Sequence, residues 1–408
     1  MNQTRERVFV IQPIEGDHYR VLQEEAVALI ESANADYAGT VYQKIREVNP
    51  ATYIGEGKVE EIHEMLSGLD VTVLFNGELS PSQTLNISAA LEGRKVIDRT
   101  TLILDIFALR AESSEGKIQV ELAQLKYLYP RLRGKGTALS RLGGGIGTRG
   151  PGETQLETDR RHIRSRIDAL EKKLAETQQR RTMLAERRKK DKVFTIALVG
   201  YTNTGKSTLL NAMTGADVLV KDALFATLDP TSRVFTIEDV PFLLIDTVGF
   251  LQSLPHHLIE AFKSTLESAL WCDLALIVCN ASGEYELEKQ TTLETLHGMG
   301  FTAPYLVVYN QCDKLKDLDS LPRDGIAISA KFGVGLDVLR AKIFEALQEN
   351  FVRCELNIPY SCFSEYSSLR PLLTEQNVTY TDNGMTVKAI VPTIYAAKVQ
   401  KFQNKKSF

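Results

Sequence analysis

Cysteine is scarce in this sequence and long apolar runs are missing, and each shortage excludes a class of protein. The 408 residues include five cysteines, none of them in a C-x-x-C pair. An odd number of thiols without such a pair suggests neither a disulfide framework nor a zinc site, and fits a reducing cytosolic compartment. No apolar stretch approaches the roughly 18 residues that a spanning helix needs, and the N-terminus MNQTRERVFV soon alternates apolar with polar side chains. We therefore expect neither secretion nor a membrane span, while peripheral association with a membrane stays open.

The overall composition is that of an ordinary folded protein. Hydrophobic residues make up 43% of the chain and charged residues 25%, which supplies apolar surface for more than one core. A chain of 408 residues suggests about two to four domains. The formal net charge of −4 does not exclude a locally basic surface, so local charge counts are more informative.

Strand and helix patterns alternate over residues 1–112. Strand-like segments are VFVIQPI, YAGTVYQKI and VTVLFN, and helical segments are VLQEEAVALIESA, KVEEIHEML and SQTLNISAALEG. This alternation predicts a small α/β domain with a parallel sheet.

A helical hairpin is predicted over residues 113–192. Residues 155–192 contain neither glycine nor proline, so we expect one long helix, paired with a helix over 115–128. The segment 131–153 is rich in glycine and arginine and is predicted to be an exposed loop. Basic charge is concentrated in the long helix, where residues 155–192 carry 13 Lys or Arg against 7 Asp or Glu.

Two further domains are predicted towards the C-terminus. Residues 193–350 return to alternation, with strand candidates FTIALV, FLLID, DLALIVC, APYLVVY and GIAIS, which predicts a second doubly wound α/β domain. Residues 351–408 hold short strand-like pieces around helical SSLRPLL, and predict a small α+β domain.

The segment GYTNTGKST matches G-x-x-x-x-G-K-[ST] between a strand and a helix, the context that a phosphate-binding P-loop requires. Its glycines let backbone N–H groups face phosphate oxygens, Lys206 supplies a cation to the β- and γ-phosphates, and Ser207 offers an oxygen to Mg²⁺. The predicted nucleotide contacts are Gly200, Tyr201, Thr202, Asn203, Thr204, Gly205, Lys206, Ser207 and Thr208.

A second motif follows the apolar run FLLID. Asp246 stands where a carboxylate would hold Mg²⁺ through water. Asp246-Thr247-Val248-Gly249 resembles the D-x-x-G motif of GTPases, in which the backbone of Gly249 would meet the γ-phosphate. The alternative for an isolated aspartate after a strand is a turn residue.

The base-recognition motif predicts GTP rather than ATP. Asn310-Gln311-Cys312-Asp313 resembles N-K-x-D, and the carboxylate of Asp313 can accept hydrogen bonds from guanine N1–H and the exocyclic amine, a pair that adenine lacks. Gln311 replaces the usual lysine, so we expect weaker affinity with selectivity retained. The element Ser329-Ala330-Lys331 resembles the S-A-K segment whose backbone lies behind the guanine.

With FATLDPT at 225–231, the chain resembles the Obg-HflX group of GTPases, and the segments GEGKVEEI, FNGELSPSQTLNI, DRTTLILDIFALRA and GGGIGTRGPGETQLETDRR are similar to the HflX family. The resemblance covers nearly the whole chain and is least specific after residue 350. It implies that Phe225, Ala226 and Thr227 also contact the nucleotide, that Thr227 of switch I reaches Mg²⁺ and the γ-phosphate, and that Lys206, Thr227 and Gly249 are the catalytic residues. The implied metal site is Ser207, Thr227 and, through water, Asp246.

The resemblance also implies a biological role. Members of this family are cytoplasmic GTPases that bind the large ribosomal subunit and dissociate or rescue ribosomes under stress such as heat. We expect a monomer when the protein is free, with GTP or GDP as ligand.

Two residues bear on catalysis. Phe250 stands where Ras-like enzymes carry a water-orienting glutamine, and a phenyl ring cannot position water by hydrogen bonding. Intrinsic hydrolysis is therefore expected to be slow unless a partner supplies the missing group. Asn203 resembles the P-loop asparagine of K⁺-dependent GTPases, and the alternative is a local hydrogen bond that holds the loop.

Ribosomal RNA is the expected partner of the basic region. Side chains on a glycine-rich backbone can follow irregular RNA phosphates. The candidate RNA contacts are Arg131, Arg133, Lys135, Arg141 and Arg149. The alternative is that a charged helix is simply a solvated face.

Two other functions stay open. The first is a ribosome- or RNA-binding protein for which the nucleotide is mainly a conformational ligand, since Phe250 predicts slow turnover. The second is an ATP-dependent RNA remodeller that acts through the N-terminal domain, where Gly55-Glu56-Gly57-Lys58 precedes a helix. This short element lacks P-loop spacing and favours a turn with a helix start.

Overall fold

The computed structural model of the chain describes residues 5–16, 18–140, 155–191, 193–215, 224–225, 230–252, 255, 258, 270–318 and 321–403. The described residues form two compact units. The first unit draws on Met1–Arg181, Lys221–Asp229 and Gln252–Ser264, and the second on Thr182–Val220, Pro230–Leu251 and Thr265–Phe408. The predicted division at residues 112, 192 and 350 stays a prediction.

The first unit is built on a parallel sheet of order β2-β1-β3-β4. The strands are β1 (Arg7–Ile14), β2 (Asp36–Lys44), β3 (Thr72–Phe75) and β4 (Val96–Asp98). The helices are α1 (Tyr19–Ser32), α2 (Glu56–Met65), α3 (Pro81–Ala90) and α4 (Arg99–Arg110). Every side chain of β3 is buried, as expected for a central parallel strand covered on both faces. The predicted α/β alternation is confirmed.

The basic hairpin is present as α5 (Ser114–Ser140) and α6 (Gln155–Asp191). Arg166 forms an ion pair with Glu121 at 2.7 Å, and Lys126 with Glu171 at 2.7 Å, so the two helices pair side by side. The prediction of a loop from residue 131 was wrong for the segment up to Ser140, which is helical. Each glycine in that segment costs about 1 kcal/mol of helix stability but does not by itself end a helix.

The second unit contains a six-stranded sheet of order β10-β9-β8-β5-β7-β6. Its strands are β5 (Phe194–Gly200), β6 (Thr231–Ile237), β7 (Val240–Asp246), β8 (Leu274–Asn280), β9 (Tyr305–Asn310) and β10 (Gly325–Ala327). Its helices include α7 (Lys206–Thr214), α8 (Tyr285–Gly298) and α9 (Leu336–Ala346). The five predicted strands are confirmed as parallel strands.

The antiparallel edge strand β6 was not predicted. It joins β7 through Glu238 and Asp239, which adopt φ of 50° and 63°. Two successive positive φ angles are typical of the tight type I′ hairpin turn, but that turn is usually marked by Asn-Gly or Asp-Gly. The pair Glu-Asp therefore carries little sequence signal.

The C-terminal part of the second unit has its own antiparallel sheet of order β11-β13-β12. Its elements are β11 (Phe351–Pro359), α10 (Phe363–Leu369), β12 (Thr374–Thr381), β13 (Gly384–Pro392) and α11 (Ala396–Val399). This is the predicted small α+β arrangement. Helix α10 ends before Pro371, which explains why the predicted helix SSLRPLL does not extend through its last residues.

Across the described part of the chain, no helix has the length and apolar character needed to cross a membrane.

Candidate functional site

The P-loop lies between the end of β5 and the start of α7, and two of its glycines are required by space. A Cβ on Gly200 would lie 2.1 Å from the carbonyl oxygen of Val278, and one on Gly205 would lie 2.4 Å from Nδ2 of Asn310. Both residues also have positive φ, 152° and 84°. Because only glycine fits, the loop can wrap with its N–H groups at the N-terminus of α7, a geometry suited to phosphate.

Lys206 is buried inside this loop. Its Nζ donates hydrogen bonds to the carbonyl oxygens of Gly200 at 3.1 Å and Tyr201 at 2.5 Å. Burial lowers the pKa of the ammonium group to about 8, and the charge of Asp246 partly opposes that shift. A buried ammonium group whose charge is only partly compensated favours binding of negatively charged phosphate oxygens.

A buried hydroxyl adds a second polar group to the loop. The Oγ1 atom of Thr202 has no hydrogen-bond partner among the residues that the structure describes. An unsatisfied buried hydroxyl is costly, so a loop that contains one is suited to a polar ligand.

Ser207 and Asp246 form the described part of the predicted metal site. Ser207 Oγ donates to Asp246 Oδ2 at 2.6 Å, and Asp246 ends β7 with only 1% of its surface exposed. A hydroxyl and a carboxylate are hard oxygen ligands of the kind that Mg²⁺ prefers, so these residues fit the ion. The third predicted ligand, Thr227, lies outside the described residues, as does Ala226.

The predicted D-x-x-G motif of Asp246 to Gly249, together with Phe250, is called switch II here, and it lies directly against the P-loop. Phe250 N–H donates to the Gly200 carbonyl oxygen at 3.1 Å, and Thr202 N–H donates to the Phe250 carbonyl oxygen at 2.8 Å. A Cβ on Gly249 would lie 2.8 Å from the Cα of Thr202, so only glycine permits this approach. Phe250 itself is buried. The hydroxyl of Thr247, directly after β7, donates to Leu198 O of β5 at 2.7 Å.

Asn310 joins the base-recognition motif to the P-loop. Its Nδ2 donates to Thr204 O at 2.8 Å, and its Oδ1 accepts from Ala330 N at 3.0 Å. One side chain therefore ties the P-loop, the end of β9 and the S-A-K element together.

A hydrogen bond orients the carboxylate of Asp313, and the side chain remains accessible to a base. Its Oδ1 accepts from Ser329 Oγ at 2.5 Å, and the residue is otherwise exposed. Of the other residues in the base-recognition and S-A-K motifs, Cys312 is buried and Lys331 is exposed.

Gln311 also reaches the P-loop. Its Nε2 donates to Asn203 O at 3.2 Å, and its Oε1 accepts from Lys314 Nζ at 2.6 Å. A tie between the two motifs is thus present despite the missing lysine. The effect on affinity stays a prediction.

The remaining predicted nucleotide contact, Phe225, is described in the first unit. Its ring packs on Phe107 with centroids 4.5 Å apart, and the side chain is buried. Contact with the nucleotide by Phe225 stays a prediction.

Arg131 makes several contacts within the protein. Its guanidinium lies 3.3 Å from the centroid of the Tyr127 ring, pairs with Asp98 at 3.2 Å and donates to Leu79 O at 2.8 Å. RNA contact by this side chain would compete with these bonds. Arg133 and Lys135 belong to α5, but the structure does not describe their side chains. Arg141 and Arg149 lie outside the described residues.

The glycine element of the first unit is a helix start. Gly55 is the N-cap of α2, and Lys58 pairs with Glu61 at 2.8 Å. This agrees with the turn and helix start that the sequence favours.

Sequence reasoning missed a buried pair in the first unit, Glu25 with Arg99, which also contacts Gln252. Arg99 lies in the family-similar segment DRTTLILDIFALRA, but Glu25 is 74 residues away in the chain, so no local signal could have identified the pair.

Three family models match the chain. They are described as GTP-binding GTPase N-terminal over residues 21–108, GTP-binding GTPase Middle Region over 110–188, and 50S ribosome-binding GTPase over 195–311.

Similar proteins extend over almost the whole length. A GTPase HflX from Caldanaerobacter subterraneus subsp. tengcongensis is 44% identical over 98% of this chain and 94% of its own. A GTPase HflX from Alkalihalophilus pseudofirmus is 48% identical over 80% of this chain and 79% of its own. Among solved structures, a GTP-binding protein from the hyperthermophilic archaeon Sulfolobus solfataricus in complex with GDP is 26% identical, covering 84% of this chain and 99% of that chain with a TM-score of 0.44.

Proposed function

Because the chain belongs to the HflX family of GTPases and hydrolyses GTP, we propose that it binds the large ribosomal subunit and dissociates or rescues ribosomes under stress. The observation that carries this proposal is the match of residues 195–311 to a family described as a 50S ribosome-binding GTPase. The protein works in the cytoplasm and is a monomer when free.

GTP with Mg²⁺ is the state that binds the ribosome. Ser207, Thr227 and, through water, Asp246 would hold Mg²⁺, and the bound ion would supply positive charge to the phosphates. Thr227 and the backbone N–H of Gly249 respond to the γ-phosphate, so the two switch segments are ordered with GTP and released after hydrolysis. The close approach of Gly249 to Thr202 of the P-loop supports this role.

The ribosome stimulates the reaction. Phe250 is buried and has no hydrogen-bonding group with which to orient water. Turnover is therefore slow until the large subunit supplies or orders the missing group. Asn203 binds K⁺ as an additional positive charge beside the phosphates, so GTP hydrolysis is faster in K⁺ than in Na⁺. Equal GTP hydrolysis rates in K⁺ and Na⁺ would rule out this K⁺ site.

Ribosomal RNA contacts the end of the helical hairpin. The excess of basic residues in 155–192 supports an electrostatic interaction with RNA phosphates. Arg133, Lys135, Arg141 and Arg149 make these contacts, whereas Arg131 contributes only if it leaves Asp98 and Tyr127.

One rival function is favoured by a specific observation. The burial of Phe250 also suits a protein for which GTP only sets the ribosome-binding conformation and turnover has no role.

The deciding experiment measures GTP hydrolysis with and without large ribosomal subunits. A Lys206→Ala variant, which lacks the P-loop ammonium, reports contaminating activity. We expect a rise of at least tenfold with subunits that is absent in the variant. Subunit binding without any rise in rate would favour the rival. The absence of GTP-dependent binding would overturn both functions.

A further inference from the structure

Two consecutive side-chain amides connect the base-recognition motif to the P-loop within the second unit. Asn310 Nδ2 donates to Thr204 O at 2.8 Å, and Gln311 Nε2 donates to Asn203 O at 3.2 Å. A Cβ on Gly205 would lie 4.0 Å from Gln311 Nε2, so the Gln311 amide lies over the P-loop. Neighbouring residues of the motif thus hold neighbouring carbonyl groups of the loop.

The Gln311 amide can make its bond in only one of two orientations. A side-chain amide has an acceptor end and a donor end of nearly the same shape. If the group were turned by 180°, Oε1 would face the carbonyl oxygen of Asn203, and two acceptors would oppose each other. A lysine has three donors and no acceptor, so a lysine at this position would not face that choice. The glutamine therefore needs a partner that fixes its orientation.

Lys314 is that partner. Its Nζ donates to Gln311 Oε1 at 2.6 Å. An ammonium group can only donate, so it binds the oxygen end of the amide and leaves Nε2 to Asn203. A hydrogen bond from a charged donor is also stronger than one between neutral groups. Contact with Lys314 thus selects the amide orientation that bonds to the P-loop.

The local backbone brings these two side chains together. Gln311 precedes a short 3₁₀ turn, Cys312–Lys314, and Lys314 N–H donates to Gln311 O at 3.0 Å. Residues three apart in such a turn lie one above the other, so the two side chains share a face. Cys312 is buried, and its N–H donates to Ile328 O at 3.1 Å, which anchors the turn beside the S-A-K element. The pairing of Gln311 with Lys314 is therefore built into an anchored turn.

Backbone strain indicates that the contact between the two motifs is constrained. Gln311 and Asn203 have φ of 64° and 59°, in the left-handed region that few residues other than glycine adopt. Such residues cost free energy, and they persist where the surrounding contacts determine their conformation. Here the two strained residues belong to different motifs and are bonded to each other.

We propose that Gln311 and Lys314 together replace the single lysine of the usual N-K-x-D motif. Gln311 connects the base site to the P-loop, and Lys314 is a positioning residue that acts through the Gln311 amide. With this connection in place the base site is preformed, so a bound guanine nucleotide leaves slowly. The proposal rests on guanine binding beside Asp313, which the Asp313→Asn variant tests separately, and it does not depend on ribosome binding.

The test measures the dissociation constant and the release rate of GDP for the full-length protein without ribosomes. The variants are Lys314→Met, Gln311→Met, the double variant, and Gln311→Lys/Lys314→Met, which restores a lysine at the motif position. Methionine keeps an unbranched side chain but lacks the donor of lysine and the amide of glutamine. The matched control is Lys316→Met, which removes the same charge from an exposed position two residues further along.

We expect Lys314→Met to raise the GDP dissociation constant about fivefold, through faster release. Gln311→Met should have a similar effect, and the double variant should be no more than about twofold worse than either, since both residues act through one contact. Gln311→Lys/Lys314→Met should recover a dissociation constant no more than about twofold above the original value, because lysine donates without a partner. Lys316→Met should stay within about twofold of the original protein.

An unchanged GDP dissociation constant in Lys314→Met would overturn the proposal. Independent effects that multiply to about 25-fold in the double variant would also overturn it, as would a restored lysine that fails to recover affinity. Equal losses in Lys314→Met and Lys316→Met would assign the effect to charge alone and contradict a role through Gln311. The melting temperature of the nucleotide-free protein reports folding. Should Lys314→Met not fold, Lys314→Ala removes the same donor and decides by the same criterion.

Discussion

Thr202 N–H donates a hydrogen bond to the carbonyl oxygen of Phe250 at 2.8 Å, which joins the P-loop to switch II through main-chain atoms alone. The bond does not depend on the side chain at position 250. The phenyl ring instead contributes by burial, with 1% of its surface exposed. The side chain of Phe250 therefore contributes to packing rather than to hydrogen bonding.

Replacing Phe250 with glutamine should not create a fast enzyme. The amide would enter a buried position, and burying a polar group without a partner costs about 1–3 kcal/mol. We expect a lower melting temperature and an intrinsic GTP hydrolysis rate within about twofold of the original protein. Phe250→Leu, which is apolar, should lose less stability. A tenfold rise in the rate of Phe250→Gln would show that the glutamine reaches the attacking water.

Nucleotide binding should take up a proton at alkaline pH. Burial lowers the pKa of Lys206 to about 8, so at pH 9 the ammonium group is mostly neutral before binding, whereas adjacent phosphate oxygens favour the charged form and raise its pKa. At pH 7 the group is protonated before and after binding, so it takes up no proton. GDP affinity should consequently fall as the pH rises above about 8.

Calorimetry of GDP binding in buffers of different ionisation enthalpy measures this proton uptake. Lys206→Arg is the matched control, because a guanidinium stays protonated at both pH values. Equal proton uptake by the two proteins at pH 9 would contradict the assignment to Lys206.

Changing Asp313 to asparagine should exchange guanine for xanthine selectivity. The carboxylate accepts hydrogen bonds from guanine, whereas an asparagine amide can donate to the O2 of xanthine. Hydrogen bonds to charged groups are worth about 1.5–3 kcal/mol each, so we expect GTP affinity to fall by at least tenfold.

Competition between GTP and xanthosine triphosphate measures the change. Ser329→Ala removes only the hydroxyl that orients Asp313 at 2.5 Å. This control should weaken GTP binding by a smaller factor and leave the preference for guanine intact. A variant Asp313→Asn that still prefers GTP would exclude Asp313 as the guanine-reading residue.

Replacing Arg131 with alanine should destabilise the first unit. Asp98 is 2% exposed and would lose its cationic partner, and the Tyr127 ring would lose the guanidinium packed against it. We expect a drop in melting temperature that corresponds to about 2 kcal/mol. Arg166→Ala is the control, since its ion pair with Glu121 is half exposed and worth about 1 kcal/mol or less. Equal effects of the two variants would show that the contacts of Arg131 add nothing to stability.

The strand and helix alternation and the nucleotide motifs could be predicted from the sequence because both are local. Buried parallel strands read as apolar runs, and the P-loop signature of Gly200, Gly205, Lys206 and Ser207 occupies one short segment. The spacing Asp246 to Gly249 and the motif from Asn310 to Asp313 are local as well. The three motifs lie next to one another at the carboxyl ends of β5, β7 and β9, because parallel strands align their carboxyl ends.

Other features had no local signal. The sequence showed Arg131 only as a basic residue in a glycine-rich stretch, which suggested RNA. Its partner Asp98 lies 33 residues earlier in the chain, so the ion pair that holds Arg131 within the protein is created by folding. Strand β6 was missed for a related reason, since its hairpin turn lacks the usual residues.

By itself, the sequence determined the fold class, the order of the GTPase motifs and the family, because each depends on residue type at short spacing. The tertiary structure decided which charged groups are buried together and what they hold. Glu25 and Gln252 are 227 residues apart, and only packing brings the carboxylate to the backbone next to switch II. Contacts across such distances are selected by the burial and hydrogen bonding of the whole fold, and no short segment of the sequence contains that information.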